Sequence, residues 1–162
     1  MAGTGDPDVR VPTLFGLALS FADNLAARDV LPARFADAAD GAAHLFADLD
    51  AGLAARIEPG SVLVAGHRTG HGADGAAAAR ALAAAGFVAV VAASFADGFD
   101  EHCLAGGLAP LEVDAPFVFH TGQRMRINCE AGTIANLSSG DRQPIRNATE
   151  SFLVRLRARL GS

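Results

Sequence analysis

The side chains best suited to chemistry lie in one glycine-rich stretch, Gly66-His67-Arg68-Thr69-Gly70-His71-Gly72-Ala73-Asp74-Gly75. A histidine exchanges protons near neutral pH, and an arginine binds a carboxylate through two parallel N–H bonds. We therefore interpret His71 and Asp74 as candidate catalytic groups. The candidate substrate-binding side chains of this stretch are those of His67, Arg68 and Thr69. The alternative interpretation is a solvated loop whose glycines only shape a turn.

Metal binding by this chain is weakly indicated. His67 and His71 have the H-x-x-x-H spacing of a metal pair on a helix, but here they lie in a glycine-rich loop. Cys103 and Cys129 are far apart and belong to no C-x-x-C pair. We interpret them as buried, reduced thiols and expect no zinc or iron–sulfur site built from this chain alone.

Composition excludes several classes of function. All 13 basic residues are arginine, so no lysine is present for a Schiff base or a Walker-type phosphate loop. The net charge of -5 argues against binding to a nucleic-acid backbone. No signal peptide and no apolar run of about 20 residues is evident, so neither secretion nor membrane insertion is expected. We expect a cytoplasmic protein.

Two predicted strands and a predicted helix hold the glycine-rich stretch. Residues 61–65 and 87–92 are short apolar runs typical of buried strands, and the alanine-rich residues 76–85 predict a helix that ends at Gly86. A strand, a helix and a second strand in this order predict a βαβ crossover with parallel strands. Asp74 stands where it would cap the helix through its side chain.

The remaining elements indicate one domain over residues 14–162, preceded by a flexible tail at residues 1–13. We expect a strand at 14–21, a helix or two short ones within 44–57, a helix at 95–104 and a strand at 110–113. Residues 117–135 alternate enough to predict β structure, and apolar residues on one face predict a final helix around 152–160. The fold class is α/β, with a mixed sheet and flanking helices.

Several segments, in order along the chain, resemble the small subunit of 3-isopropylmalate dehydratase, a swivel-type domain of the aconitase superfamily. Residues 57–66 are similar to its "pGdvlvaG" strand, and residues 93–110 to its "SFadiF…nC…nGLlP" segment. Residues 23–35 resemble its "DnidTDqiiPary" opening, with Arg34 in the final part, and residues 130–137 its closing hairpin. The similarity spans about residues 14–160.

The resemblance implies a division of labour between two chains. A large aconitase-type subunit carries a [4Fe–4S] cluster and most catalytic groups, and the small subunit supplies a loop that binds the carboxylate of a small organic acid. It implies a heterodimer or heterotetramer, with no cofactor bound by this chain. A homo-oligomer is the alternative assembly.

This chain departs from the family in that loop, which in the family reads approximately G-x-G-S-S-R-E-H-A. With the glycines aligned on Gly70 and Gly72, Ala73 stands at the serine that acts as catalytic base and Gly75 at the carboxylate-binding arginine. Asp74 replaces the second serine, so the changes at Asp74 and Gly75 together make this end of the helix more negative by about two charges. The opening motif is altered too, with Ala27-Arg28 in place of its T-D pair.

Two functions are consistent with a preserved scaffold and an altered loop. The first is a hydro-lyase or isomerase subunit that acts with a large iron–sulfur subunit on a hydroxy acid other than isopropylmalate. The second is a repurposed stand-alone swivel domain, either a cluster-independent enzyme or a non-catalytic binding protein. The candidate substrate-binding positions that the resemblance adds are Gly70, Gly72, Ala73, Gly75 and Arg34.

Overall fold

The computed structural model describes residues 8–161. Its strands are β1 (Leu14–Ser20), β2 (Val62–Ala65), β3 (Ala89–Ala92), β4 (Ala109–Glu112), β5 (Arg124–Asn128), β6 (Thr133–Asn136) and β7 (Arg142–Pro144). Its α-helices are α1 (Ala27–Val30), α2 (Gly75–Ala84), α3 (Phe99–Ala105) and α4 (Glu150–Leu160). In these residues the strands form one seven-stranded sheet in the order β4-β3-β2-β1-β5-β6-β7.

One half of the sheet is parallel and the other antiparallel. Strands β1 to β4 run parallel to one another, whereas β5 pairs antiparallel with both β1 and β6, and β7 antiparallel with β6. Every residue of β2 and of β3 is buried, because strands covered on both faces are apolar throughout. The predicted βαβ crossover, formed by β2, α2 and β3, is confirmed, as is the α/β class with a mixed sheet.

Side chains on the two faces of the sheet enter two separate cores. Leu63 faces the core that contains Leu82 of the alanine-rich helix α2. Val64, its neighbour in β2, faces the other core, which contains Leu156 of α4. Alternation along a strand therefore fixes α2 and α4 on opposite faces, and α2 follows directly from the glycine-rich loop.

The predicted side-chain cap of α2 is wrong. Asp74 occupies the N-cap position, but its backbone is left-handed (φ 68°) and its side chain makes no capping hydrogen bond. Capping carboxylates accept from the helix amides when the backbone is extended, and the left-handed turn takes the Asp74 carboxylate out of that arrangement. The other end follows the prediction, since Gly86 adopts a positive φ of 95° just after the helix.

The helices expected within residues 44–57 are not formed as α-helices. The chain there makes turns and the 3₁₀ segments Gly41–His44 and Ala54–Arg56. Phe46 has a positive φ of 60°, its ring is fully buried and stacks 4.7 Å from that of Phe21, and its amide donates to the Val30 carbonyl. These tertiary contacts override the helical spacing of the apolar residues.

Two other predicted boundaries also differ. The helix expected from residue 95 begins at Phe99, since Phe95 forms a β-bridge with Thr69 and Gly98 adopts a positive φ of 85°. In residues 117–135, β structure begins at Arg124. Of the predicted tail, residues 1–7 lie outside the described residues, and Val11 is buried with its amide donating to Glu130 Oε2 at 2.8 Å.

Candidate functional site

Three loops meet at the carboxyl edge of the parallel strands. β1, β2 and β3 are adjacent and parallel, so the segments that follow them, residues 21–26, 66–74 and 93–98, emerge at one edge of the sheet. This edge is where α/β sheets commonly bind ligands. The glycine-rich stretch is the middle segment and contacts both others.

Backbone and side-chain hydrogen bonds join the segment after β1 to the glycine-rich loop. The amide of His67 donates to Asp23 Oδ1 at 2.7 Å, and the amide of Asn24 donates to the His67 carbonyl at 2.8 Å. Further along, the Ala27 amide donates to the His71 carbonyl at 2.9 Å. A Cβ on Gly66 would stand 1.7 Å from Asp23 Oδ1, so this close approach requires glycine.

The segment after β3 holds the loop from its other side. Ser94 Oγ accepts the Arg68 amide at 2.9 Å and lies 3.4 Å from His67 Nδ1. Thr69 is completely buried, and its hydroxyl donates to the Gly66 carbonyl at 3.1 Å. Gly70 is buried as well, and a Cβ there would stand 2.1 Å from the ring of Phe99. Thr69 and Gly70 thus form the inner layer of the loop.

The imidazole of His71 is oriented by a backbone carbonyl. Its Nε2 lies 2.9 Å from the carbonyl oxygen of Asn24, a residue with a positive φ of 62°. Because a carbonyl only accepts, this contact favours the tautomer with the proton on Nε2, in which Nδ1 of the neutral ring keeps its lone pair. No partner for Nδ1 is present among residues 8–161. His71 therefore has the arrangement of an oriented base.

The outer layer of the loop consists of exposed residues. These are His67, Arg68, Gly72, Ala73 and Asp74. Within the described part of the chain, the side chains of Arg68 and Asp74 form no ion pair. Gly72 has a positive φ of 91° and open space around the position of a Cβ, and Gly75 begins α2 beside His102 and Phe99. The outer layer presents both charge signs to solvent.

Arg34 is not brought into this cluster by any hydrogen bond among the described residues. Its guanidinium donates to both carboxylate oxygens of Asp48, at 2.8 and 3.0 Å, and lies 4.7 Å over the ring of Phe35. The pKa of Asp48 is lowered by the hydrogen bond from Arg34. The resemblance placed Arg34 near the substrate, whereas the structure gives its guanidinium a local partner.

Sequence reasoning did not single out three residues that build the site. Asp23, Asn24 and Ser94 orient the backbone or side chains of His67, Arg68 and His71. They carry a signal in the sequence, because each follows a predicted strand that is parallel to the one before the glycine-rich loop. Residues just beyond parallel strands converge on one edge.

The described residues do not fit an iron–sulfur cluster or another metal. Among them no group of three or more His, Cys, Asp or Glu side chains is arranged to hold a metal ion. Cys103 and Cys129 are both free and buried. Burial raises the pKa of the Cys129 thiol to about 12 and raises that of Cys103 as well, so neither is a ready thiolate ligand.

The half-parallel sheet with its loops at one edge defines an α/β domain with a mixed sheet. Residues 50–116 match the aconitase C-terminal domain. A crystal structure of 3-isopropylmalate dehydratase (leuD) from Methanocaldococcus jannaschii superposes with a TM-score of 0.77 at 24% identity, over 82% of this chain and 81% of that one. At this identity the match shows the fold.

Relatives found by sequence identify the family more narrowly than the fold does. The 3-isopropylmalate dehydratase small subunit of Nautilia profundicola is 32% identical over 128 residues, which cover 77% of each chain. The 2,3-dimethylmalate dehydratase small subunit of Eubacterium barkeri is 30% identical over 129 residues, covering 77% of this chain and 79% of that one. The chain belongs to this family of aconitase-type dehydratase small subunits. No described helix is long and apolar enough to cross a membrane.

Proposed function

We propose that the chain is the small subunit of a hydro-lyase or isomerase that acts, with a large subunit carrying the [4Fe–4S] cluster, on a hydroxy acid other than 3-isopropylmalate. The relatives support the subunit role, and one of them is named for 2,3-dimethylmalate. Relatives at about the same identity are thus named for different substrates.

The observation that carries this proposal is a scaffold shared with the family whose outward side chains in the loop differ. The loop is held by bonds from Asp23 and Ser94, yet Ala73 has no group that accepts a proton and Gly75 has none that binds a carboxylate. Asp74 adds an exposed negative charge. A carboxylate beside Asp74 is repelled, so the loop favours a substrate whose carboxylates lie elsewhere in the site.

His71 is the group we assign to proton transfer. Dehydration of a hydroxy acid takes a proton from one carbon and hydroxide from its neighbour, which leaves an alkene and, in sum, water. Nδ1 of His71 has the free lone pair to accept that proton. Asp74 is the second acid–base candidate of the loop, and the exposed Arg68 and His67 are the groups we assign to the substrate carboxylate. Thr69, Gly70 and Gly72 give the loop its shape.

Coexpression with an aconitase-type large subunit tests this function. We expect the two chains to copurify and to form or consume an alkene, followed by its absorbance, with at least one member of a hydroxy-acid panel. His71→Gln should lower kcat about 10²–10⁴-fold. His120→Gln, which changes an exposed histidine in the turn before β5, should leave it unchanged.

Two results contradict the proposal. Turnover of 3-isopropylmalate in preference to the other acids of the panel would show that the parent specificity survives the changed loop. Failure to bind the large subunit, with a homo-oligomer in its place, would favour the repurposed stand-alone domain.

A further inference from the structure

We propose that Arg28 provides a carboxylate-binding cation of this site and acts with Arg68, so that the anion-binding charge sits on α1 and the loop and not on α2. This inference rests on the proposed function, because it names the groups that hold the hydroxy-acid substrate. It concerns a residue that lies 38 positions or more before the loop in sequence and only joins the site through the fold.

Arg28 adds positive charge beside the loop relative to the motifs that this chain resembles. It stands where the opening motif has an aspartate, so this position gains two positive charges, whereas Gly75 removes a cation from the first turn of α2. A cation is thus lost on α2 and gained on α1.

The fold brings α1 against the loop. Ala26 forms a parallel β-bridge with His71, and the Ala27 amide donates to the His71 carbonyl at 2.9 Å. Ala27 is completely buried and anchors α1, whereas its neighbour Arg28 is exposed. The exposed guanidinium therefore starts from backbone that is hydrogen-bonded to the proposed base.

The two carboxylates next in sequence to this site accept backbone amides. Asp29 Oδ2 accepts the Ala26 amide at 2.9 Å, and Asp23 Oδ1 accepts the His67 amide at 2.7 Å. Across residues 8–161, neither Arg28 nor Arg68 forms an ion pair within 4.0 Å. By contrast, Arg34 is neutralised by Asp48. Arg28 and Arg68 are thus exposed guanidinium groups without a carboxylate partner among the described residues, on the two segments that the His71 contacts join.

A carboxylate is the ligand that this chemistry fits. The planar guanidinium donates two parallel N–H bonds to a carboxylate, and a lysine at the same place is only a point charge. Arg28 and Arg68 together suit a hydroxy acid with two carboxylates, such as malate. A site with one arginine binds only one carboxylate, so it discriminates less between a dicarboxylate and acetate.

Titration of the ¹⁵N-labelled full chain with malate, followed by NMR, tests the assignment. We expect malate to shift the side-chain signals of Arg28, Arg68 and His71 with a Kd on the order of millimolar. Arg28→Gln should weaken binding about tenfold or more, and Arg28→Lys should lose less. Arg142→Gln is the matched control, since Arg142 is exposed on β7 at the far edge of the sheet, and should stay within about twofold of the wild type.

The inference is overturned if malate shifts none of these signals, or if Arg28→Gln binds malate as the wild type does. The readout is binding by this chain alone and needs no turnover. A chain that binds malate through Arg28 but forms no active complex with a large subunit would therefore contradict the proposed function and leave this assignment standing.

Discussion

The Nε2 atom of His71 lies 2.9 Å from the carbonyl oxygen of Asn24, 47 residues earlier in the chain. Asn24 holds that carbonyl in a left-handed turn, and its own amide donates to the His67 carbonyl. The turn after β1 thus fixes both ends of the polar part of the loop. The imidazole is oriented by main chain, which side-chain substitutions leave in place.

This relationship predicts the tautomer of His71. We expect the neutral ring to be protonated at Nε2 and bare at Nδ1, because only Nε2 faces an acceptor. Two-dimensional ¹H–¹⁵N correlation spectra of the histidine rings distinguish the two tautomers. His120, for which no side-chain hydrogen bond is present in residues 8–161, serves as the reference and should show a mixture. A dominant Nδ1–H form of His71 would remove the basis for its role as base.

Gly66 is predicted to be indispensable for the shape of the loop. In Gly66→Ala the new methyl group would meet Asp23 Oδ1 at 1.7 Å, so Asp23 must move and release the His67 amide. We expect a loss of about 1–3 kcal/mol in the free energy of unfolding, measured by urea denaturation.

Two further variants test whether the loss in Gly66→Ala comes from the clash with Asp23. Gly72→Ala introduces a methyl group into open space at a positive φ of 91°, and it should cost only about 1 kcal/mol of backbone strain. Gly66→Ala combined with Asp23→Ala removes the clashing carboxylate and should be no less stable than Gly66→Ala alone. If the double variant has a markedly lower free energy of unfolding than Gly66→Ala, the clash is not with the Asp23 carboxylate.

Restoring the loop letters of the family should restore the parent reaction. The triple variant Ala73→Ser, Asp74→Ser and Gly75→Arg returns a hydroxyl and a guanidinium, and it removes the negative charge. The arginine is sterically acceptable, because a Cβ at Gly75 stands 3.3 Å from His102 Cδ2 and 3.4 Å from Phe99 Cδ1, so its neighbours need give only slightly. We expect turnover of 3-isopropylmalate with a large subunit to rise at least tenfold.

The triple variant should turn over 3-isopropylmalate faster still when the aspartate of the opening motif is also restored at position 28. Gly75→Arg adds a cation to a site to which we already assign Arg28, so Arg28→Asp in the triple background should raise this turnover again, whereas Arg28→Asp alone should not. Equal effects in the two backgrounds would show that position 28 and the loop act independently.

The ion pair of Glu130 with Arg157 makes stability depend on pH. Arg157 holds the pKa of Glu130 at about 2, below its usual value near 4.5, through hydrogen bonds of 3.0 Å to Oε2 and 2.6 Å to Oε1. Because the folded-state pKa is the lower one, the stabilisation is full above about pH 5 and is lost as the pH falls toward 2. After allowance for solvent screening, it contributes about 1–2 kcal/mol.

Urea denaturation at pH 7 and at pH 3 measures this contribution. Glu130→Gln cannot ionise, so its free energy of unfolding should fall less between the two pH values than that of the wild type. Asp97→Asn changes an exposed carboxylate and should keep the wild-type difference. If Glu130→Gln loses as much as the wild type, the pair does not contribute in this pH range.

The sequence determined the elements whose contacts are local. The apolar runs of β2 and β3, the alanines of α2 and Gly86 after it specify a βαβ unit, because strand burial, helix propensity and a left-handed C-terminus are encoded within a few residues of each other. The candidate residues of the glycine-rich loop could also be identified from the sequence. Their chemistry follows from residue type.

Only the tertiary structure decided what those residues contact. Asn24 and Ser94 contact the loop from segments after other strands, Phe46 lies in turns where a helix was predicted, and Asp74 keeps the N-cap position without a side-chain cap. Likewise, the Ala27 amide joins α1 to the loop, and Arg34 pairs with Asp48. These contacts join residues that are distant in sequence, and the contacts of Asn24 with the loop depend on the pairing of β1 with β2, which no local pattern encodes.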